Sequence, residues 1–245
     1  MKRFLSVFLL LLIVVSSALL LVACNGGVEN EADWNNAVQT LKDSKSITVK
    51  MVEKVYHNTI RLDRKIVTKL SYNAKKGVLA YYYDKTDYTI FGLKDGAKHE
   101  YRYYKVEGSD LKYYSKEFYD SSNYSSDEGW TLSITHYNSK EEALQGLHEM
   151  YLWLLPVKTH SIDFSIYDSH GTFGKLQKTS KDDYYDYTHQ LQFSNGKLTK
   201  IYDAQEVNSS LGGKTEKNTT TIKYSAIVTA PKGIGSATEV TNEKN

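Results

Sequence analysis

The side chains best suited to chemistry in this chain are seven His, one Cys and scattered carboxylates, and their spacing decides what they can do. His148-Glu149 opens like a zinc-protease motif, but Met150-Tyr151-Leu152 follow and no second His stands one turn on. Asp182, Asp183 and Asp186 lie close in sequence, yet their spacing fits no calcium loop and reads as a solvated turn and one strand face. Gly213-Lys214-Thr215 has the end of a phosphate-binding loop, with Asn208 where the first Gly belongs and no strand-to-helix context; it reads as a loop. No Gly-x-Ser-x-Gly elbow occurs. With no catalytic constellation in place, the expectation is a non-enzymatic protein without cofactor or metal site.

One His has a more pointed setting. Tyr185, Tyr187, His189, Leu191 and Phe193 fall on one face of an alternating stretch, and Tyr184, Asp186, Thr188, Gln190 and Gln192 on the other. A single His on such a face is more often a hydrogen-bonded core residue than a ligand group. Its Tyr neighbours have rings that can also stack on sugars or aromatic ligands.

The lone Cys carries a different chemistry. Leu21-Val22-Ala23-Cys24 ends an apolar run that starts at Phe4 and follows Met1-Lys2-Arg3. A positive start, an apolar middle and small residues before the cut are the parts of a secretory signal. The run resembles the signal of bacterial lipoproteins, which implies a diacylglycerol on Cys24, removal of residues 1–23, and a location on the extracytoplasmic side of the cell membrane. The alternative is that residues 4–22 remain as a transmembrane helix, since they are long enough to span a bilayer.

Cleavage would leave 222 residues carrying 29 basic and 29 acidic side chains, a net charge of zero that predicts no attraction to nucleic acid or anionic headgroups. With Cys24 lipidated no thiol remains, which excludes disulfides and thiolate chemistry. The 21 Tyr suit strands with partly wet faces.

Residues 24–32 read as a tether that keeps the domain close to the membrane, on the order of 25 Å when extended. Trp34, Ala37, Val38 and Leu41 recur at helical spacing, with Asp33 as cap. Ile47-Val49-Met51 then begins an alternation that continues through Ile66, Leu70 and Tyr72 and through runs at 78–83, 88–93 and 101–106. Turn clusters at 73–77, 84–87, 94–96 and 107–110 separate these runs and describe an antiparallel meander. Residues 115–130 read as polar loop. Ser139 and Glu142 open a second helix as a capping box, and its second half, Met150 to Leu155, lacks a polar face and must be surrounded. Strands resume at Ile162-Phe164-Ile166 with a turn at 168–171; Asn195-Gly196 makes a type I′ hairpin, and a polar loop at 208–218 leads to a last strand from Ile222 through Tyr224 to Ala230. Residues 232–245 read as a disordered tail.

The expected fold is mainly β with some α: one strongly curved antiparallel sheet over residues 33–231, a half-barrel with short helices packed in its concave face. Two cystatin-like helix-plus-sheet domains are the alternative. The helix from Trp34 into Ile47–Met51, the meander, the apolar inner helix and the closing strand through Tyr224 to Pro231 resemble the superfamily of lipoprotein carriers typified by LolA and LolB. That resemblance implies a lipid or other hydrophobic ligand in the hollow, and Met150, Trp153, Leu154, Tyr185, Tyr187, His189, Leu191 and Phe193 are the residues expected to line it. The alternative function is an envelope interaction or stress-sensing lipoprotein with a filled core. No nucleic-acid partner is expected.

Overall fold

A computed structural model describes residues 31–57, 61–121, 125–155, 175–181, 185–207 and 213–240. Helix α1 (Glu31–Lys42) leads into β1 (Ser46–His57), β2 (Arg61–Asn73), β3 (Val78–Tyr88), β4 (Lys94–Glu107) and β5 (Asp110–Ser121). Then follow β6 (Ser125–Asp127), β7 (Thr131–His136), α2 (Lys140–Leu154), β8 (Lys175–Lys181), β9 (Tyr185–Ser194), β10 (Lys197–Val207), β11 (Lys214–Lys223) and β12 (Thr238–Glu239). The strands form one curved, open sheet in the order β12-β7-β5-β4-β3-β2-β1-β11-β10-β9-β8, with β6 paired to β5 off that path. Every pairing is antiparallel except the two-residue contact of β12 with β7.

The sheet is one continuous body because β1 pairs on both sides. It meets β2 through Val49↔Leu70 and Met51↔Thr68, and β11 through Val49↔Ile222. Alternation along these strands puts Ile47, Val49, Leu70, Tyr72, Leu79, Tyr104, Ile201 and Ile222 on one face, all buried. Both helices cover that concave face. α1 lays buried Trp34, Ala37, Val38 and Leu41 toward β10, and α2 lays buried Ala143, Leu147, Tyr151 and Leu154 over β3, β4 and β5. The helices meet where the Tyr151 hydroxyl donates to the Leu41 carbonyl. Tyr151 also stacks on Tyr72, centroids 4.6 Å apart.

The local rules hold at the helix and hairpin ends. The Glu142 amide donates to Ser139 Oγ at 3.1 Å, so Ser139 is the N-cap. The return half of the box lands one residue early: the Glu142 carboxylate accepts from the Asn138 amide rather than from Ser139. α2 ends because Leu155, which precedes Pro156, is extended. Asn195 and Gly196 both have positive φ, as a type I′ turn requires.

Several boundaries differ from expectation. α1 begins at Glu31, so Asp33 lies within it rather than capping it. Residues 84–87 and 94–96 belong to β3 and β4; of residues 88–93, apolar enough to read as a strand, Tyr88 ends β3 and 89–93 close the hairpin. There Thr89 Oγ1 accepts from the Phe91 and Leu93 amides, and Gly92 takes a left-handed φ. Residues 115–121 and 125–127 pair as strand where loop was expected. The last strand ends at Lys223, and residues 238–239 of the expected disordered tail form β12. The expected strand at 162–166 and turn at 168–171 lie outside the described residues.

Candidate functional site

Where α2 ends, the concave face makes a trough that no described residue covers. β1 contributes Met51 and Glu53, β2 contributes Ile66 and Thr68, and β3 contributes Tyr81 and Tyr83. Arg102 of β4 and Trp153 and Leu154 of α2 complete a cavity of about 380 Å³. Register brings them together: Val49↔Leu70↔Tyr81↔Arg102 is one row across four strands, and Met51↔Thr68↔Tyr83 the next. The volume lies within the range of about 300–1,000 Å³ common for small-ligand sites.

Arg102 is the electrostatic centre of the trough. Its guanidinium stands 5.6 Å from the Tyr81 ring and 5.7 Å from the Trp153 ring, and it pairs with Glu100. Burial opposes the charge, and Glu100 outweighs that effect, holding the Arg102 pKa above its usual value. Deeper along the same face Arg64 pairs with Glu53 at 3.2 Å. Burial raises the phenol pKa of both Tyr81 and Tyr83, so both are hydrogen-bonding neutral groups at physiological pH. Charge and apolar surface are therefore interleaved in the trough, with Arg102 between the Tyr81 and Trp153 rings and Glu53 directly across from Ile66.

The expected binding residues divide between two places. Trp153 and Leu154 are in the trough, and half-buried Met150 lines a neighbouring cavity of about 360 Å³ with Tyr104 and Tyr113. Tyr187, His189, Leu191 and Phe193 are on the opposite wing of the sheet. Phe193 packs edge-on against Trp34 of α1 at 6.2 Å, and Leu191 is buried in the same core. His189 is hydrogen-bonded to Asp203 through Nδ1, and the Tyr187 hydroxyl accepts from Gln205 at 3.2 Å. The Tyr185 side chain, Cys24, Asp182 and Asp183 lie outside the described residues.

The second half of α2 is not enclosed all round. Leu152 is 39% exposed and Trp153 68% exposed, because the helix end overhangs the trough instead of sinking into the sheet. The guanidinium of Arg102 lies against the Trp153 ring and offsets part of the cost of leaving it wet. Lys214 and Thr215 are strand residues of β11, which removes the helix N-terminus a phosphate loop needs. Among the described residues no three His, Cys, Asp or Glu side chains gather as a metal site.

Sequence patterning missed Met51, Glu53, Ile66, Tyr81, Tyr83 and Arg102 as site residues. Each sits in an ordinary alternation, and only the pairing of four strands joins them. No protein-family profile matches the chain, and no curated protein matches it.

Proposed function

We propose that the chain is a membrane-anchored extracytoplasmic lipoprotein, non-enzymatic, held by lipid on Cys24, that binds a lipid or other hydrophobic ligand in the trough beside Trp153. The observation that carries this reading is the trough itself, with Trp153 overhanging Arg102, Tyr81, Met51 and Ile66 on a concave sheet. An acyl chain fits against Trp153, Met51, Ile66 and Leu154, while a polar head meets Arg102 and Glu53. A curved sheet with helices on its concave face is also what a LolA- or LolB-like carrier would have, and the chain is placed there as part of the same proposal.

The test is native mass spectrometry of the full chain purified from its own membrane. The expected spectrum has a non-covalent lipid mass beyond the acyl groups on Cys24, diminished in Trp153→Ala. Only the acylated polypeptide mass, in wild type as in the variant, would reject the carrier reading. One observation favours the second reading, an envelope interaction or sensing protein. The hollow beneath α1 and α2 is solid, filled by Trp34, Leu41, Tyr72, Leu147 and Tyr151, all buried.

A further inference from the structure

The outer face of the sheet carries a separate aromatic cup. β4 alternates sides, so Arg102 faces the trough while His99 and Tyr101 face outward. Beside them on β5 stand Lys116 and Phe118, and Trp130 closes one wall just before β7. After β11 the chain turns back along this outer face. The Ser225 carbonyl accepts from Thr48 Oγ1, the Ala226 amide donates to Ser46 Oγ, and the Lys232 carbonyl accepts from Trp130 Nε1 at 3.1 Å. Residues 225–232 thus form a strap that reaches from β1 to Trp130, and Pro231 and Lys232 roof the cup. The enclosed space is about 470 Å³, larger than the trough.

Its chemistry is distinct from that of the trough. The walls are rings: His99 and Phe118 lie 5.6 Å apart, and Tyr101 meets Trp130 at 6.2 Å. Charge sits at the rim, where Lys116 is paired with Asp127 at 2.5 Å and exposed Lys232 makes no ion pair among the described residues. Lys116 and Lys232 against Asp127 give the lining a net positive charge. The Trp130 N–H is already committed to the strap, and His99 and Tyr101 are the polar groups left among the walls, so most hydroxyls of a sugar would be left unbonded at a cost. A flat ring can lie against such walls without that cost, and an acidic substituent at the rim meets Lys232.

We propose that this cup is a second binding site, on the outer face of the sheet beneath the strap, for a small aromatic acid. It does not depend on whether the trough holds a lipid. The test is isothermal titration of the full chain, in detergent, with naphthalene-2-sulfonate, using detergent alone as baseline. Saturable one-to-one binding is expected, weakened by at least about tenfold in Lys232→Glu, as loss of one charge-assisted contact implies. Lys76→Glu, an exposed charge reversal on the β2–β3 turn, should bind as wild type does. Circular dichroism melting of each variant checks that the fold is intact. Absence of saturable binding, equal affinity in Lys232→Glu, or equal affinity for neutral naphthalene-2-methanol would overturn the proposal. Binding of methyl glucoside in place of the sulfonate would overturn the ligand class.

Discussion

At the scale of single residues, burial of phenols sets how the molecule responds to alkali. Burial raises the pKa of Tyr72, and pushes Tyr104 and Tyr224 up to about 12, because a phenolate there would lose its water. When the chain unfolds these groups return to about 10. Between the two values the unfolded state holds fewer protons, so the contribution is fully present below pH 10 and is lost as pH rises toward 12. Phenolate absorbance should therefore rise in two phases, exposed Tyr first and core Tyr together with unfolding; one phase at the ordinary phenol value would contradict this. His148 works in the opposite range. Burial, then the Lys45 charge, lowers its pKa from 6.5, so its contribution is present above 6.5 and declines as pH falls below it. The melting temperature should drop on acidification through that point, less so in His148→Phe. The lipidation proposed for Cys24 depends only on neighbours in sequence and is tested on that residue alone. Cys24→Ala should lose the acyl mass and leave the membrane or accumulate as precursor, and wild type that incorporates no labelled fatty acid would exclude the anchor.

At the scale of elements, Tyr151 joins α2 to α1 through one hydroxyl. Tyr151→Phe keeps the stack on Tyr72 but leaves the Leu41 carbonyl with only the long bond from the Ser44 amide at 3.4 Å, which costs about 1–3 kcal/mol. A urea titration should show a lower midpoint with unchanged slope. Ser139→Ala removes an exposed cap and should cost about 1 kcal/mol, a smaller loss by the same measurement. If the two variants were equally stable, the joint between the helices would be worth no more than a surface cap. The elements that could be read from sequence were those with a strong period: Trp34–Leu41, Ile47–Met51 and Tyr185–Phe193. Those misread were apolar by composition and decided by the backbone. Residues 88–93 have a strand's residue types, yet Ile90, Phe91 and Leu93 are 67%, 82% and 67% exposed because Thr89 and Gly92 fold them into a turn. Likewise Met150 to Leu155 reads as enclosed, and only the position of α2 on the sheet shows that Trp153 overhangs an opening.

At the scale of the whole molecule, the sheet has two edges among the described residues, and each needs a reason not to pair with another chain. β8 carries Lys at both ends and in its middle, in Lys175-Leu-Gln-Lys-Thr-Ser-Lys181, a composition that discourages edge-to-edge contact. β7 is managed differently. Its free side is taken by β12, which arrives only because the strap carries the chain across the outer face, with Thr238 donating to the Trp130 carbonyl and Val240 to that of Leu132. This joining of the last strand's sequel to the far edge was invisible in sequence, since a two-residue parallel pair has no period to read and its partner lies more than a hundred residues away. The concave trough was hidden for the same reason, while the mainly β class and the two covering helices were legible in short windows. Ending the chain after Lys223 should therefore do more than remove a tail. It takes Ser225 and Ala226 off β1, strips Lys232 from Trp130 and uncovers β7. The truncated chain should still fold, at a lower stability because Tyr224 is lost from the core's edge, since the buried set from Trp34 to Ile222 precedes the cut, but it should self-associate through β7. Light scattering after size exclusion should show concentration-dependent growth in mass that restoring residues 224–240 abolishes. A truncated chain with the same mass as wild type at every concentration would mean that β7 needs no cover and that the strap serves only the cup it roofs.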